Sequence, residues 1–446
     1  MTGGGIKMVT PSHPMQPFMN TRTKNHLLPV LFVSLSFTSF GFSNDWAQFR
    51  GPHGNATAAD ATLPTEWNDT KNIAWKTELP GRGASSPIVV GDRIYLTAYS
   101  GYGIDPDDFG QKSDLRLHVL CFDRSSGKKI WDQSVAAHPD TQKCSRRVID
   151  HGYATSTPVA DGETVFAFFG QTGVVAYSRD GKKLWQTRVG SQSAGFGTAS
   201  SPVLLGDLVY VNASIESKTL FALNRKTGDI AWQRDGINRS WSTPCLARSK
   251  DGRTELVVNQ IDVVNSYDPL TGKTIWSCKG IPDYIVPVPV FHDGIIYCLG
   301  GRSNRSLAIR LGGEGDVSET HKLWDKPIGA NVTSPVFVDG KIYWSSDKGI
   351  MNCITADSCE EVYRNRLPTK KRIYASIVRG GKHLYVTTRD QGVVVLDIAD
   401  SYQVVAQNRF QQDDSLLNAS PAISGNSILI RSDRFLYCIQ ESNPGR

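Results

Sequence analysis

The residues of this chain best suited to binding chemistry recur at one position of a repeated phrase. The phrase has eight copies and contains one landmark position that is proline in seven of them. Five residues before that landmark, five of the eight copies carry arginine or tyrosine. The eight candidates are Arg82, Tyr153, Arg239, Tyr284 and Arg372, with His151, Trp241 and Tyr374 nearby. Guanidinium groups pair with carboxylates and phosphates, and aromatic rings suit sugar-like groups. The pattern predicts a mouth that binds a protein, a polysaccharide or a small anionic ligand; the alternative is that exposed linkers are simply polar.

A second candidate site is acidic. Asp105, Asp107 and Asp108 cluster in the stretch "GYGIDPDDFGQKSD" (101–114), and clustered carboxylates suit a hard cation such as calcium. The spacing does not follow a calcium loop, so the alternative is a solvated acidic loop.

Recognised catalytic motifs are missing from the sequence. It contains no G-x-S-x-G, no H-E-x-x-H and no phosphate-binding loop, so no catalytic residue is assigned. We interpret His118 as a packed residue of a strand. His138 and His151 stand near Asp140 and Asp150 without an evident nucleophile. The eight cysteines lack metal-ligand spacing, and their pairing stays open.

The elements that must position these residues form a repeat. The landmark recurs at Pro87, Pro158, Pro202, Pro244, Pro289, Pro335, Ile377 and Pro421, with a period of about 44 residues after an enlarged first unit. Each unit reads as short apolar runs separated by Gly-Asp or Asp-Gly turns. Four strands in a unit of this length predict an eight-bladed β-propeller of antiparallel blades.

A second phrase, clearest in the first four units, ends in tryptophan. It reads "DRSSGKKIW", "SRDGKKLW", "NRKTGDIAW" and "DPLTGKTIW". The glycine supplies a tight turn, and the tryptophan is predicted to lie flat on the next blade. The docking residues are Trp75, Trp131, Trp185, Trp232, Trp276 and Trp324. In the sixth unit Tyr363 replaces the tryptophan, and in the seventh we assign the position to Val405, which has no aromatic ring.

Both chain ends indicate how the ring closes. The eighth unit stops after its third strand, "RFLYCIQ" (434–440), and "NDTKNIAW" (68–75) is an orphan copy of the tryptophan phrase. Pairing the two completes the eighth blade and removes an open edge. The predicted organisation is a propeller over 68–446, a lead-in over 44–67, and insertions in the first blade at 101–114 and 136–153, both expected on the mouth face.

Residues 1–43 are predicted to form an N-terminal extension with a secretory signal. A basic stub precedes sixteen uncharged residues (27–42), which are short for a membrane span. The alternative is a membrane anchor, and translation can start at Met1 or Met19. Half of the net charge of +6 lies in this segment, so no nucleic-acid partner is expected. The predicted location is periplasmic or extracellular, and the oligomeric state stays open.

The tryptophan phrase resembles the docking motif of the propellers of pyrroloquinoline quinone (PQQ) dehydrogenases and their cofactor-free relatives. It appears as "CFDRSSGKKIW", "ALNRKTGDIAW" and "SYDPLTGKTIW", within a resemblance that covers about residues 65–446. The stretch "DWAQFRGPHGN" (45–55) resembles the opening of secreted PQQ-like proteins of planctomycete-type bacteria. The family also includes the scaffold lipoprotein of outer-membrane assembly, whose lipid-anchor cysteine has no counterpart here.

The resemblance implies two functions. The dehydrogenases carry an adjacent Cys-Cys disulfide, a catalytic Asp and a calcium site beside the quinone, whereas no two cysteines are adjacent here. We therefore expect a non-catalytic binding or scaffold module without a cofactor. The alternative is a degenerate quinoprotein dehydrogenase that binds PQQ and calcium through Asp105, Asp107 and Asp108.

Overall fold

The computed structural model of the chain describes Met1 and residues 45–369 and 371–442. Apart from Met1, the predicted targeting segment 1–43 lies outside the described residues. Helix within the described part is limited to five short 3-10 turns, at Pro52–Gly54, Lys112–Asp114, Pro139–Lys143, Arg146–Asp150 and Gly170–Thr172. None of the described helices has the length and apolar character needed to traverse a bilayer.

Two strands precede the first complete blade, β1 (Thr57–Ala58) and β2 (Ile73–Glu78). Blade 1 contains β3 (Ile88–Val90), β4 (Arg93–Ser100), β5 (Arg116–Asp123) and β6 (Lys129–Ala136). Blade 2 contains β7 (Val159–Ala160), β8 (Thr164–Phe168), β9 (Val174–Ser178) and β10 (Lys183–Thr187). Blade 3 contains β11 (Val203–Leu205), β12 (Leu208–Ala213), β13 (Thr219–Asn224) and β14 (Ile230–Asp235). Blade 4 contains β15 (Cys245–Arg248), β16 (Thr254–Gln260), β17 (Val263–Tyr267) and β18 (Thr274–Lys279).

The second half repeats the pattern. Blade 5 contains β19 (Val290–His292), β20 (Ile295–Gly300), β21 (Arg305–Arg310) and β23 (Lys322–Lys326), with β22 (Gly315–Asp316) inserted. Blade 6 contains β24 (Val336–Val338), β25 (Lys341–Ser345), β26 (Ile350–Thr355) and β27 (Glu361–Arg366). Blade 7 contains β28 (Val378–Gly380), β29 (His383–Thr387), β30 (Val393–Asp397) and β31 (Val404–Asn408). Blade 8 contains β32 (Ala422–Ser424), β33 (Ser427–Arg431) and β34 (Phe435–Gln440).

The eighth blade is completed by the N-terminal strand β2. It pairs antiparallel with β34, placing Trp75 opposite Cys438, so the sheet order is β2-β34-β33-β32. The predicted eight-bladed propeller with a shared final blade is confirmed. The closure satisfies backbone groups of β34 that would otherwise form an open edge.

The third strand of every blade carries a small residue opposite the tryptophan position. The pairs are Cys121–Trp131, Ala176–Trp185, Ala222–Trp232, Ser266–Trp276, Ala308–Trp324, Cys353–Tyr363, Val395–Ala406 and Cys438–Trp75. A register shift accompanies each pair. In blade 7 the position belongs to Ala406, so the sequence assignment to Val405 was wrong by one residue. Ala406 follows its partner Val395 by 11 positions, whereas Trp131 follows Cys121 by 10, so the turn in blade 7 is one residue longer.

Residues 45–58 run across the inner strands of the ring. Trp46 bridges Val89 of blade 1, and Ala47 accepts a hydrogen bond from Ala160 of blade 2. The buried Arg50 donates to Pro335 O ahead of blade 6. At the end of the segment, β1 pairs parallel with β28 of blade 7. The stretch "DWAQFRGPHGN" therefore packs inside the ring rather than outside it.

Candidate functional site

A funnel opens at the centre of the face that carries the blade-linking segments. Its cavity has a volume of about 590 Å³, and each of the eight linkers contributes to its wall. Phe49 of the segment that crosses the inner strands also lines it. Because the linkers are loops on a closed ring of sheets, their side chains are held by a rigid scaffold.

The neck of the funnel is a belt of hydroxyl residues just before the proline landmark. Each backbone N–H donates to the hydroxyl of the equivalent residue one blade on, at 2.8–3.0 Å. The links are Ser86 to Thr157, Thr157 to Ser201, Ser201 to Thr243, Val288 to Ser334, Ser334 to Ser376, and Ser376 to Ser420. Val288 offers no hydroxyl, so the belt is interrupted there. Sequence reasoning used the proline and missed the hydroxyl that precedes it.

Six of the eight residues predicted for the mouth line the funnel. They are His151, Arg239, Trp241, Tyr284, Arg372 and Tyr374. Arg82 and Tyr153 are not among the lining residues. Arg82 exchanges backbone hydrogen bonds with Tyr99, at 3.1 and 2.9 Å, and Tyr153 packs edge-on against Tyr99 and Tyr102. The backbone of Arg82 is thus paired with the end of β4, and Tyr153 packs against the first-blade insertion at Tyr102.

The aromatic part of the wall is fixed by polar contacts. Trp241 Nε1 donates to Gly197 O at 2.7 Å, and the indole meets the Tyr284 ring edge-on, with 5.9 Å between ring centroids. Tyr284 Oη donates to Asn331 Oδ1 at 2.7 Å and accepts from Arg302 Nε at 3.1 Å. These bonds fix the rings of Trp241 and Tyr284 at the rim of the funnel before any ligand binds.

Arg302 was missed in the sequence because it lies in the glycine-rich stretch "GGRSNRS", which we interpret only as a loop. The structure places it between β20 and β21, on the funnel wall beside Tyr284. Its guanidinium lies 5.5 Å from the centroid of that ring. Its distance from the landmark differs from that of the other arginines, so a search at fixed spacing does not find it.

Positive charge exceeds negative charge on the funnel wall. Lys218, Arg239, Arg302 and Arg372 line the cavity, whereas Asp150 is the acidic residue that lines it. The side chains of Lys218 and Arg239 form no hydrogen bond or ion pair with any described residue, and Arg372 lies 3.8 Å from Asp347. Arg239 also holds a left-handed backbone, at φ 46°. Unpaired cations around a concave wall raise the local concentration of anions.

His151 adds a neutral polar group to this wall. Burial lowers the pKa of His151 to about 4, and its Nδ1 lies 2.9 Å from Thr155 Oγ1. The ring is therefore uncharged at neutral pH. Next to it, Arg389 donates to Asp150 O at 2.6 Å and lies 4.9 Å from the centroid of Tyr374.

The three aspartates proposed for calcium are exposed and serve their own loop. Asp105 Oδ1 accepts from Asp107 N at 2.9 Å, and Asp108 Oδ1 accepts from Gly110 N at 3.0 Å. Across residues 45–369 and 371–442, no group of three or more His, Cys, Asp or Glu residues is placed to hold a metal ion. Asp105, Asp107 and Asp108 therefore do not form such a group.

The eight cysteines are all free and buried in the described structure. Cys121, Cys353 and Cys438 occupy the small slot opposite the tryptophan position and behave there as small apolar residues. Cys144 lies within the first-blade insertion 136–153, and its thiol accepts a hydrogen bond from Ser193 Oγ at 3.3 Å.

The propeller resembles a known protein family and several solved structures. The family described as "Outer membrane protein assembly factor BamB" matches residues 116–279 and 260–436. No curated protein matches the chain. Among solved structures, BamB from Moraxella catarrhalis is 15% identical, with a TM-score of 0.61 over 84% of this chain and 98% of that one.

Two dehydrogenases have the same fold. A europium-containing methanol dehydrogenase is 10% identical, with a TM-score of 0.62 over 90% of this chain and 98% of that chain. The quinohemoprotein alcohol dehydrogenase from Comamonas testosteroni is also 10% identical, with a TM-score of 0.63 over 90% of this chain and 82% of that one. Identities this low indicate a common fold alone.

Proposed function

The chain belongs to the family described as outer membrane protein assembly factor BamB, and on that premise we propose that it is a binding or scaffold module whose funnel receives an acidic segment of a protein partner. The observation that carries the proposal is the set of cations on the funnel wall, of which Lys218 and Arg239 have no partner in the described structure. A carboxylate-rich segment supplies the missing counter-charges, and arginine binds carboxylates in paired hydrogen bonds.

The role proposed for the funnel is binding rather than turnover. Its aromatic residues Trp241 and Tyr284 are held by hydrogen bonds before any ligand arrives, which reduces the ordering cost of binding. A polysaccharide with acidic sugars or a small anion has the same charge chemistry as an acidic peptide. The experiment below separates these ligands.

A quinoprotein dehydrogenase is the second candidate. The funnel's arginines and rings suit a planar polycarboxylate such as PQQ, but the aspartates of 101–114 turn onto their own backbone. Because the metal donors do not fit, we derive no dehydrogenase step. Export to the periplasm or the cell exterior remains part of the proposal and rests on the sequence of residues 1–43.

The test is a calorimetric titration of the purified chain with a hexaglutamate peptide at low and physiological salt. Replacing Arg239 and Arg372 by alanine is expected to weaken binding at least about tenfold, since each charge-assisted hydrogen bond contributes a kcal/mol or more. Added salt is expected to weaken the wild-type interaction because the contacts are ionic and partly exposed.

Arg82→Ala is the matched control. It removes the same charge from the same position of the repeat, but from a residue that does not line the funnel, so peptide affinity should be unchanged. Equal losses in all variants, or no binding by the wild type, would refute the acidic-peptide proposal. Tighter binding of hexagalacturonate or inorganic phosphate would reassign the ligand, and binding of PQQ with calcium would favour the dehydrogenase alternative.

A further inference from the structure

Three side chains on one face of blade 1 form a continuous hydrogen-bonded chain outside the funnel. Ser100 Oγ lies 2.8 Å from His118 Nε2, and His118 Nδ1 lies 2.8 Å from Asp132 Oδ1. Each nitrogen of the imidazole therefore has a different partner, a hydroxyl on one side and a carboxylate on the other.

The strand register accounts for this arrangement. His118 of β5 stands opposite Ala98 of β4, and Asp132 of β6 stands opposite Leu120 of β5. Alternate residues of a strand share a face, so Ser100, His118 and Asp132 project to the same side of the sheet along a diagonal. Leu96 and Leu120, on that same side, pack into the core shared with blade 8.

The serine is positioned at an accessible point. Ser100 is the last residue of β4, and the chain turns immediately afterwards at Gly101, whose φ is 82°. Ser100 is partly buried, and the His118 and Asp132 side chains retain 13% and 23% exposure. A substrate for this hydroxyl must be small enough to reach it through this partly exposed edge of the blade.

We propose that Ser100, His118 and Asp132 form a nucleophilic site that acts on small esters. Ser100 is the nucleophile, His118 is its general base, and Asp132 is a positioning residue that orients the imidazole. A nucleophile, a base and an orienting group within hydrogen-bond reach define such a site by geometry, irrespective of order in the sequence. This proposal concerns a different part of the molecule from the funnel and does not depend on the function proposed there.

The surroundings of the aspartate keep it ionised. Burial raises the pKa of Asp132, but the hydrogen bond and charge of His118, with Lys129, outweigh it, so the pKa lies below the ordinary value. A carboxylate at this position favours the tautomer of His118 that has its proton on Nδ1 and leaves Nε2 free to accept from Ser100.

The arginine opposite the serine in the strand register is bonded to a different strand. Arg116 is the direct cross-strand neighbour of Ser100, and its guanidinium donates to Ser134 Oγ at 3.2 Å on the same face. The guanidinium is therefore directed toward β6, on the far side of β5 from Ser100, and we assign it no part in the reaction.

The reaction follows from these positions. Ser100 Oγ bonds to the acyl carbon of the ester while its proton moves to His118 Nε2. The acyl C–O bond then breaks, and the same proton passes to the leaving alkoxide, which departs as an alcohol. A water molecule attacks the acyl-serine with His118 again accepting and returning the proton, which releases the carboxylic acid and restores Ser100.

Another blade contains a His–Asp pair without the serine. His383 Nδ1 lies 2.9 Å from Asp397 Oδ1 across β29 and β30 of blade 7, and within the described residues no hydroxyl bonds its other nitrogen. A histidine–carboxylate pair is thus used structurally elsewhere in this fold, and the added hydroxyl distinguishes blade 1.

The test uses the full purified chain with a fluorescent fluorophosphonate and with p-nitrophenyl acetate. We expect covalent labelling at Ser100, located by peptide mass spectrometry, and loss of labelling in Ser100→Ala. His118→Ala is expected to slow labelling and ester hydrolysis at least about 100-fold, as for other members of a nucleophile–base unit. Asp132→Asn should slow hydrolysis and alter its pH profile while leaving the melting temperature little changed.

Two variants act as controls. Ser134→Ala removes a hydroxyl from the same face, and His383→Gln breaks the pair that lacks a serine, so both should keep wild-type labelling. A folded wild type that is not labelled, or labelling that persists in Ser100→Ala, would show that the three residues only stabilise the blade.

Discussion

Glu216 is a carboxyl group buried without a full set of partners. It lies in the loop between β12 and β13, is 1% exposed, and accepts a hydrogen bond from Thr198 Oγ1 on one oxygen. The other oxygen, Oε2, has no hydrogen-bond partner among the described residues. Burial raises the pKa of Glu216 to about 7, although the bond from Thr198 opposes the shift. The folded state therefore prefers the protonated acid.

This preference predicts a pH-dependent stability. The unfolded carboxyl titrates near a pKa of 4.5, so between that value and about 7 the unfolded state loses its proton first. Stability is fully present below 4.5 and is lost as pH rises through 7, by at most about 3 kcal/mol. Replacing Glu216 by Gln should remove this slope, and unfolding midpoints in denaturant from pH 5 to 8 measure it.

The comparison must be made as a difference between variants. His151 has a pKa lowered to about 4 by burial, so its contribution is lost in the opposite direction, as pH falls below its ordinary value of 6.5. That term is common to wild type and Glu216→Gln and cancels between them. Parallel pH curves for the two proteins would contradict a raised pKa at Glu216.

Glu255 explains why one tryptophan differs from the others. Trp276 donates to Glu255 Oε2 at 2.6 Å, and the same carboxylate accepts from Gly312 N of blade 5 at 3.0 Å. Arg253 and Ser266 satisfy its remaining positions. The carboxylate thus bridges the indole to the next blade, where other blades use a backbone carbonyl.

At the scale of elements, the tryptophan strand and the glycine turn of the next blade form one joint. Indole nitrogens of Trp75, Trp131, Trp185, Trp232 and Trp324 donate to carbonyls of the following blade, at 2.8–3.2 Å. A Cβ on Gly272 would lie 2.5 Å from the Trp232 ring. Glycine is therefore required at this position for two reasons, the positive φ and the close approach of the indole.

Gly272→Ala is predicted to destabilise the ring more than a matched glycine replacement elsewhere. At Gly272, φ is 66° and the indole occupies the space, so we expect a loss of about 2–4 kcal/mol. At Gly206, φ is 57° and no atom lies within 4 Å, so Gly206→Ala should cost only the backbone strain, about 1 kcal/mol. Denaturant midpoints compare them, and equal losses would rule out a contribution from the ring contact.

The sequence predicts such elements well because each depends on a local pattern. Turn glycines, period-two apolar runs and the small slot opposite Trp131 or Trp185 are all legible in the repeat. The repeat does not show which residues of neighbouring units are in contact. The stretch "GGEG" (312–315) reads as a turn, yet Gly315–Asp316 forms β22, which pairs parallel with β18 of the preceding blade. Its partner is set by packing between blades, which no local pattern encodes.

In the candidate sites too, residues set by a local spacing are predictable from the sequence, and contacts set by the folded sheet are not. Arg239, Tyr284 and Arg372 follow from a fixed spacing before the landmark and reach the funnel wall. Arg82 stands at the same spacing and does not line it; its backbone pairs with Tyr99 of β4. The contact between Ser100 and His118 depends on a strand register that only the folded sheet defines, so His118 reads as a packed residue in the sequence.

At the scale of the molecule, the N-terminal region performs two separate tasks. Residues 45–58 cross the inner strands, where Trp46 and Arg50 are buried and Phe49 reaches the funnel. Burial lowers the pKa of Arg50 to about 9, and its guanidinium is held by Pro335 O and Gly54 O. The later strand β2 closes blade 8. The ring therefore depends on β2 for closure and on the earlier segment for its filled centre.

Two truncations separate these tasks. A chain that begins at residue 59 keeps β2 and should stay folded and soluble with a lowered melting temperature, because only the buried crossing segment is lost. A chain that begins at residue 80 leaves the edge of β34 unpaired and should aggregate. Size-exclusion chromatography and thermal melting distinguish the two outcomes.

The closing strand can also be supplied in trans as a peptide. A synthetic peptide of residues 68–79 should restore a soluble propeller to the chain that begins at residue 80, because its backbone pairs with β34 and Trp75 docks on blade 1. The same peptide with Trp75→Ala keeps the backbone pairing but loses the indole contact, so it should rescue less. If the chain that begins at residue 80 were soluble and folded without any peptide, closure by β2 would not be what holds the eight blades in a ring.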